Sequence, residues 1–384
     1  MRVSPLGTAV VHRGAVGEAG SMYTRLLAGR PDGPLAGAMF LTWERRLGVA
    51  DPGGPTFPIC RSDDGGRTWT EIAAVADVAR GAGNRYQPTL LELPSDVAHL
   101  RRGDLLLAGN AIPADGAFTC LVLYSSTDGG HTWTFESVID EGGPSVYDNR
   151  SDSTTTAIWE PDLDVVDGAL VCCYADERRK PDGMLQTIER RTTTDLRTWS
   201  DRELVSGISN RYLRPGMFVG TGEMPDGRRR AVIEIVGPRD VPIHLLESAD
   251  GRSWGDPADL GRLLVADDGV ALSGTPTISW RELPDGRVLL VALGRHSMRD
   301  GREGNRALAS LDLGETWTSF ELPTPATRAI HGDASGYSQT IRWNDAGELV
   351  QATSVRNAIG SHDVVVTRAT FDVDATDPIP AGDR

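Results

Sequence analysis

Short apolar runs alternate along this chain with clusters of glycine, proline, aspartate and asparagine. The runs read DLLLAGN, LVLYSS, ALVCCYA, RAVIEIV, RVLLVAL and DVVVTRA, and turn-forming residues flank each of them. Runs of this length are typical of short antiparallel strands, and the 3.6-residue period of amphipathic helices is nearly absent. The pattern therefore predicts an all-β protein.

A turn motif recurs between these runs. Successive aspartates of the motif lie between 55 residues (Asp195 to Asp250) and 67 residues (Asp128 to Asp195) apart, a spacing typical of propeller blades rather than solenoids. The aspartate can accept backbone N–H groups, the glycine can take a positive φ, and the tryptophan can cover the turn. Because each copy carries few acids, we favour a structural turn over a calcium loop. The copies are SDDGGRTW at 62–69, STDGGHTW at 126–133, TTDLRTW at 193–199, SADGRSW at 248–254 and SLDLGETW at 310–317.

The spacing of this motif predicts the architecture. A mean spacing of about 62 residues divides the 384-residue chain into six units. Four-stranded blades arranged radially leave few exposed sheet edges. We therefore expect a six-bladed β-propeller with four-stranded antiparallel blades, formed as a single domain by residues 1–384. The N-terminal TAVVHRG should supply the outer strand of the last blade.

Charge and composition restrict the partners. The chain carries 54 Asp and Glu against 39 Lys and Arg, a net charge of -15, which disfavours nucleic acids and anionic membranes and favours neutral ligands. No apolar run reaches the ~18 residues of a membrane span, and the N-terminus lacks the apolar stretch of a signal peptide. The four cysteines show no metal-ligand spacing. We expect a cytoplasmic monomer with free buried thiols and no metal or cofactor.

A second repeat opens each blade. Proline is tolerated at the first residues of a strand, so we assign these segments as the innermost strands, which begin at the mouth of the central channel. The segments are YTRLLAG, YQPTLLEL, WEPDLDV, LRPGMFVG, GTPTISW and GYSQTIRW. The residues expected at the mouth are Arg25, Gln87, Glu160, Arg214, Thr275 and the pair Tyr337 and Ser338.

The second strand of each blade should end beside the start of the first, because the two run antiparallel. Its last residues are Glu44, Asn110, Asp176, Glu234, Arg295 and Arg356. These mostly polar positions predict one funnel at one end of the channel. The substrate-binding candidates are Arg25, Gln87, Asn110, Asp176, Arg178, Arg214, Thr275 and Arg295.

Two glutamates of the funnel are candidates for acid–base chemistry. Glu160 follows a tryptophan and precedes a proline, and Glu234 lies in an otherwise apolar strand. Apolar surroundings disfavour the charged carboxylate and raise its pKa, as a general acid requires. The alternative is that each is a structural glutamate in a salt bridge. Tyr337 could act as a nucleophile, relay a proton, line the pocket or only pack, and the charge run that includes Asp176 and Arg178 could be a solvated loop.

The turn motifs resemble the Asp-box repeats of sialidase-like propellers. The region from Tyr86 to Met217 resembles the exo-α-1,5-L-arabinanases of glycoside hydrolase family 93, on the pieces YQPTLLELP, GDLLLAGNAIP, AIWEPDL, CYADERR and RPGM, followed by AVIEIVG. This resemblance implies a retaining exo-enzyme that releases arabinobiose from arabinan with two glutamates. By the resemblance, Glu234 would be the nucleophile, Glu160 the acid/base and Tyr337 a supporting group.

Three other functions stay open at this stage. A sialidase would clamp a substrate carboxylate with Arg25, Arg295 and either Arg214 or Arg356, with Tyr337 and Glu234 as the attacking pair. A non-catalytic binding propeller would use the same fold without chemistry. A lyase would need a base from His296, His331 or Tyr337 beside an arginine.

Overall fold

The computed structural model describes residues 1–16, 20–46, 54–148, 150–324 and 335–373. This described part of the chain contains 27 strands and one short 3-10 helix, Lys180–Asp182. The strands form six four-stranded sheets and one three-stranded sheet, and every strand pair is antiparallel. No helix in these ranges is long and apolar enough to cross a membrane. The prediction of an all-β protein is confirmed.

The six four-stranded sheets, here named sheets 1 to 6, follow one another along the chain. Sheet 1 contains β2 (Gly20–Ala28), β3 (Met39–Arg46), β4 (Phe57–Ser62) and β5 (Thr70–Val75), and sheet 2 contains β6 (Asn84–Glu92), β7 (Leu105–Ala111), β8 (Thr119–Ser126) and β9 (Thr134–Gly142). Sheet 3 contains β10 (Ile158–Val166), β11 (Ala169–Asp176), β12 (Thr187–Thr193) and β13 (Glu203–Ser206), and sheet 4 contains β14 (Arg214–Glu223), β15 (Arg229–Val236), β16 (Ile243–Ser248) and β17 (Arg262–Leu263).

Sheet 5 carries an addition that the repeat did not predict. Its own strands are β19 (Thr277–Glu282), β20 (Val288–Leu293), β23 (Arg306–Ser310) and β24 (Thr318–Glu321). Between β20 and β23 the chain forms a hairpin, which pairs with a short strand to make the small sheet of β18 (Ala271–Ser273), β21 (His296–Arg299) and β22 (Arg302–Gly304).

Sheet 6 joins the two ends of the described chain. It contains β25 (Thr340–Trp343), β26 (Leu349–Arg356), β27 (His362–Asp372) and, as the outer strand, β1 (Arg2–His12). The N-terminal strand thus occupies the predicted position, paired with β27 from Arg2↔Asp372 to His12↔Val364. The turn motif always connects the third and fourth strands of a sheet. Sheet 6 has no copy because its third and fourth strands come from opposite ends of the chain, which explains five motifs for six sheets.

Each repeated turn is held by its own side chains. In the first copy, Asp64 Oδ1 accepts the backbone N–H groups of Arg67 and Thr68, both at 2.9 Å, and Oδ2 accepts the Thr68 hydroxyl at 2.6 Å. The indole of Trp69 donates to the Gly66 carbonyl at 3.2 Å. The carboxylate is therefore fully engaged by the turn, in agreement with a structural role.

The sheets pack side by side through apolar clusters. One cluster joins Phe40 and Phe57 of sheet 1 to Leu105 and Tyr124 of sheet 2, and five others join the remaining pairs of neighbours, sheet 6 with sheet 1 included. The first strand of each of sheets 1 to 6 is its inner strand. The inner strands contact one another in the cyclic order β2, β6, β10, β14, β19, β25 and back to β2. These strands therefore surround a central channel.

One residue near the start of each inner strand has a left-handed backbone. In sheets 1 to 4 it interrupts the regular pairing of the first two strands. Non-glycine residues rarely adopt this conformation, which costs of order 1–3 kcal/mol each and is concentrated at functional sites. The six residues are Tyr23 (φ 50°), Gln87 (59°), Glu160 (61°), Met217 (47°), Thr275 (41°) and Ser338 (55°).

Candidate active site

A cavity of about 650 Å³ opens at the end of the channel where the inner strands begin, a size typical of small-molecule sites. Its walls come from the left-handed residues, the ends of the second strands and the connecting loops. Seven of the eleven predicted site residues line it. They are Gln87, Glu160, Arg214, Glu234, Thr275, Arg295 and Tyr337.

Glu160 is fixed by hydrogen bonds on both backbone and side chain. Its N–H donates to Gln87 Oε1 at 3.0 Å, and its Oε1 accepts the Tyr23 hydroxyl at 2.7 Å. Burial raises the pKa of Glu160, while the Tyr23 hydroxyl, the Met217 N–H and the charge of Arg25 oppose the rise. Glu160 is thus a buried carboxyl whose ionised form is favoured by two hydrogen bonds and by the more distant charge of Arg25.

Glu234 has fewer stabilising contacts. It lies on β15, opposite Gly216 of β14, and its Oε2 accepts the Thr275 N–H at 2.6 Å. Burial and the negative charge of Glu160 raise the pKa of Glu234 to about 8. Among the described residues, no cation lies within 4.0 Å of either glutamate, so neither is the salt-bridged structural residue considered above.

Two tyrosines lie beside the pair. The rings of Tyr23 and Tyr337 are 5.2 Å apart, and the guanidinium of Arg295 lies 5.0 Å from the centre of the Tyr337 ring. Burial and the charges of Glu234 and Glu160 raise the pKa of Tyr337, so its hydroxyl stays protonated. Tyr337 is therefore a wall and a hydrogen-bond donor rather than a ready nucleophile.

Arg214 enters the cavity as a buried cation with unused donors. Its side chain is 1% exposed, and Nη2 donates to the Asp148 carbonyl at 2.5 Å. Its Nε and Nη1 have no hydrogen-bond partner in the described structure. Leaving buried donors unpaired is costly, which makes Arg214 a candidate for binding the oxygen atoms of a substrate.

Several lining residues were not among the predicted site residues. Tyr23 was missed because Arg25, two positions on, was taken as the mouth residue of sheet 1. Glu177 was missed within the charge run, although it is fully buried and accepts the Trp159 indole at 2.9 Å and Lys180 Nζ at 2.8 Å. Glu44 accepts the Gln87 N–H at 2.9 Å, as Glu234 accepts the Thr275 N–H. Glu44 was predicted at the funnel, without a binding role, and it lines the cavity.

Four predicted residues lie elsewhere. Arg25 lines a different cavity, at the opposite end of the channel. Asn110 is buried between sheets, where its amide bonds the Ile158 carbonyl at 2.8 Å and the Cys120 N–H at 3.0 Å. Asp176 is fully buried and paired with Arg178, whose guanidinium also binds Asp140. The charge run is therefore an internal ion-pair network rather than a solvated loop, and of its residues Glu177 lines the cavity whereas Asp176 and Arg178 do not.

Of the other functions, the sialidase lacks two of its predicted arginines in this cavity, whereas the lyase keeps candidate groups, since His296 and Tyr337 line the cavity together with Arg295. Arg25 is in the other cavity and Arg356 is exposed outside this one, so the predicted sialidase triad is not assembled. His296 lines the cavity, and His331 lies outside the described residues. A non-catalytic protein should direct Glu160 and Glu234 apart or pair them with cations, and neither is observed.

The cavity is richer in carboxylates than in cations. Its carboxylates are Glu44, Glu160, Glu177, Glu234, Asp240 and Glu303, and its guanidinium groups are Arg214, Arg239 and Arg295. Within the described ranges, no group of three or more His, Cys, Asp or Glu side chains is arranged to hold a metal ion. This balance suits a neutral sugar better than an anionic one.

The fold is similar to those of β-propeller glycosidases, sialidases among them. The NanB sialidase of Streptococcus pneumoniae matches with a TM-score of 0.57 and 11% identity over 94% of this chain and 70% of that one, a likeness of fold alone. No protein-family model and no curated protein sequence matches the chain.

An α-L-arabinofuranosidase and an α-L-arabinanase match more fully. The α-L-arabinofuranosidase Arb93A of Fusarium graminearum, in complex with an iminosugar inhibitor, is similar with a TM-score of 0.81 and 25% identity over 95% of this chain and 98% of that one. The α-L-arabinanase of Penicillium chrysogenum, complexed with arabinobiose, gives a TM-score of 0.78 and 28% identity over 94% and 98%. The resemblance to glycoside hydrolase family 93 is confirmed.

Proposed function

We propose that this protein is an exo-acting, retaining glycoside hydrolase that removes terminal α-linked arabinofuranose or arabinobiose from arabinan-type oligosaccharides. The observation that carries the proposal is that Glu160 and Glu234 share one sugar-sized cavity, feel each other's charge and have no ion pair among the described residues. Two carboxyls with separated proton affinities are what glycoside hydrolysis requires. The similar arabinanase binds arabinobiose, which supports an arabinose-based substrate.

We assign the roles from the hydrogen bonds, and this assignment reverses the one implied by the sequence resemblance. Glu160 has two hydrogen-bond donors and a nearby arginine that stabilise its carboxylate, so it is the nucleophile. Glu234 has one donor and faces the charge of Glu160, so it keeps its proton to higher pH and is the acid/base.

The reaction then proceeds in two steps. Glu160 attacks the anomeric carbon and forms a glycosyl-enzyme ester, while Glu234 gives its proton to the departing glycosidic oxygen. Water next loses a proton to Glu234 and attacks the same carbon, which frees the sugar and restores both carboxyls. The two inversions give net retention.

We also propose that sheets 1 to 6 are the six blades of a closed propeller that residues 1–384 form as one domain. The cyclic contacts of the inner strands, the apolar clusters between all neighbouring sheets and the place of β1 in sheet 6 support this. The monomeric state, the cytoplasmic location and the weak affinity for nucleic acids and membranes stay predictions.

Hydrolysis assays with two active-site variants test the proposal. On arabino-oligosaccharides, Glu160→Gln should lose about 10⁴-fold or more in kcat, and Glu234→Gln about 10²–10⁴-fold. On an aryl arabinofuranoside with a good leaving group, Glu234→Gln should form the glycosyl-enzyme at a rate much closer to that of the wild type, because that leaving group needs no proton. Proton NMR of the first product should show the retained anomer.

Glu44→Gln is the matched control, because Glu44 occupies in sheet 1 the position that Glu234 occupies in sheet 4. It should keep most of the activity, since glutamine can still accept the Gln87 N–H. Equal turnover by wild type, Glu160→Gln and Glu234→Gln would refute the assigned chemistry. Release of the inverted anomer would refute the retaining mechanism.

A further inference from the structure

A second cavity lies at the opposite end of the central channel. It has a volume of about 760 Å³ and is lined by residues of all six inner strands. Neither Glu160 nor Glu234 lines it, and the proposed hydrolase gives it no role. Its polar lining distinguishes it from a packing defect, because an empty defect in a protein core is normally apolar.

Two arginines on neighbouring strands line this cavity together. Arg25 lies on β2, where its Nη1 donates to Ser338 Oγ at 2.7 Å, and Arg342 lies on β25, where its Nη1 donates to the Ile341 carbonyl at 2.8 Å. The Thr340 hydroxyl accepts the Leu26 N–H at 3.1 Å and ties the two strands together beside both arginines. The Nε and Nη2 donors of both guanidinium groups have no protein partner in the described structure.

The charges of these two arginines are not balanced locally. Within the described ranges, no carboxylate oxygen lies within 4.0 Å of either guanidinium. Arg229 in the same cavity differs, because it pairs with Asp164 at 2.9 Å and Glu223 at 3.1 Å.

Asp162 is the carboxylate of this cavity that acts on both arginines, since the other four are engaged elsewhere. Glu92 accepts the Arg30 N–H at 2.6 Å, Asp164 and Glu223 pair with Arg229, and Asp167 pairs with Arg252. Asp162 of β10 accepts the Gly220 N–H at 2.9 Å, and burial raises its pKa to about 7. Burial also lowers the pKa of Arg342 to about 10, which reports how poorly its charge is solvated. Within this cavity, the two guanidinium charges thus share one nearby acid, Asp162, whose own charge is disfavoured by burial.

We propose that this cavity binds a small monovalent anion between the guanidinium groups of Arg25 and Arg342. Planar guanidinium groups with unused N–H donors are well suited to halides and to the two oxygens of a carboxylate. Chloride and the carboxylate of a small organic acid share this chemistry. Neither glutamate of the catalytic pair lines this site, although the charge of Arg25 also acts on Glu160.

Crystals of the full chain grown in sodium bromide give the direct test. Anomalous scattering should place one bromide within about 3.5 Å of nitrogen atoms of both Arg25 and Arg342. Arg342→Gln should remove that peak. The control Arg281→Gln should keep it, because Arg281 lies on neighbouring β19 outside the cavity, over the Trp343 ring and bonded to the Gly347 carbonyl at 2.9 Å. Bromide only at the outer surface, with this cavity empty, would overturn the proposal.

Thermal unfolding in solution distinguishes the two sources of the anion. As chloride or formate is added, the Tm of the wild type should rise relative to Arg342→Gln and then saturate, by about 1–3 °C at ten times the Kd. Equal responses to chloride and formate identify a general anion site. A response to formate alone identifies a carboxylate ligand. Parallel, unsaturated changes in both proteins with both salts would contradict the site.

Discussion

Replacement of Tyr23 by phenylalanine tests the two catalytic roles against each other. The change removes only the hydroxyl that donates to Glu160 Oε1 at 2.7 Å. A hydrogen bond to a charged group contributes about 1.5–3 kcal/mol. Since 1.36 kcal/mol corresponds to one pKa unit, loss of this bond should raise the pKa of Glu160 by about 1–2 units.

The sign of the effect on the pH profile depends on what Glu160 does. A nucleophile must be ionised, so a higher pKa moves the acid limb of kcat/KM up by about 1–2 units and narrows the active range. At a pH below that limb, kcat/KM of Tyr23→Phe should be about 10–100-fold lower than that of the wild type, because each unit of pKa corresponds to a tenfold change in the ionised fraction. An acid must be protonated, so in that role the alkaline limb would move up and the range would widen.

The assay is kcat/KM against pH on an arabino-oligosaccharide, for wild type, Tyr23→Phe and Tyr124→Phe. Tyr124 is the control because it is equally buried but its hydroxyl bonds Asn84, between sheets and away from the cavity. The acid and alkaline limbs of this pH profile report the coupled titration of Glu160 and Glu234, so the two limbs must be fitted together. An unchanged acid limb with a raised alkaline limb would refute our assignment of Glu160 as nucleophile.

Three further predictions concern the acid, the substrate and the packing. Because Glu234 must be protonated and its pKa is raised to about 8, kcat/KM should fall as the pH rises through about 8, and Glu234→Gln should abolish that limb. Arg214→Met should lower kcat/KM by about 10–150-fold by removing the unpaired donors that meet the substrate; an unchanged value would contradict a binding role. Gly109→Ala should destabilise the fold by about 1–3 kcal/mol in urea unfolding, because its Cβ would lie 2.2 Å from Phe57. Gly7→Ala should not, because its Cβ would make only an ordinary contact with the Arg368 guanidinium at 3.8 Å.

The strands and turns were predictable because their causes are local. Alternating apolar runs and the Asp–Gly–Trp turns specify hairpins over a few residues, and these turns hold the same hydrogen bonds that the sequence indicates. The hairpin from His296 to Gly304 was missed, since it interrupts the repeat and carries no turn motif of its own.

The mouth of the channel was predicted less well because its register depends on an irregular step in the pairing. Proline marks that step correctly where it follows the left-handed residue, as in sheets 2, 3 and 5. Pro215 instead precedes Met217 by two residues, which led to Arg214 as the mouth residue of sheet 4. A shift of one position also matters, because Ala175, and not Asp176, pairs opposite Trp159 beside the cavity. Side chains alternate along a strand, so Asp176 points into the ion-pair network instead.

The catalytic pair and the strained backbone have the same physical origin. Each left-handed residue turns its N–H out of its own sheet, and an acceptor nearby on the ring must receive it. Glu234 receives the N–H of Thr275 and Glu160 receives that of Met217, as Gln87 receives that of Glu160. A glutamine amide offers only one oxygen for such a bond, whereas a carboxyl keeps its second oxygen for chemistry. In the described structure, the second oxygen of Glu234 has no hydrogen-bond partner. The ring that fixes the inner strands thus also holds the two carboxyls in place before substrate arrives, which is the preorganisation that glycosyl transfer needs.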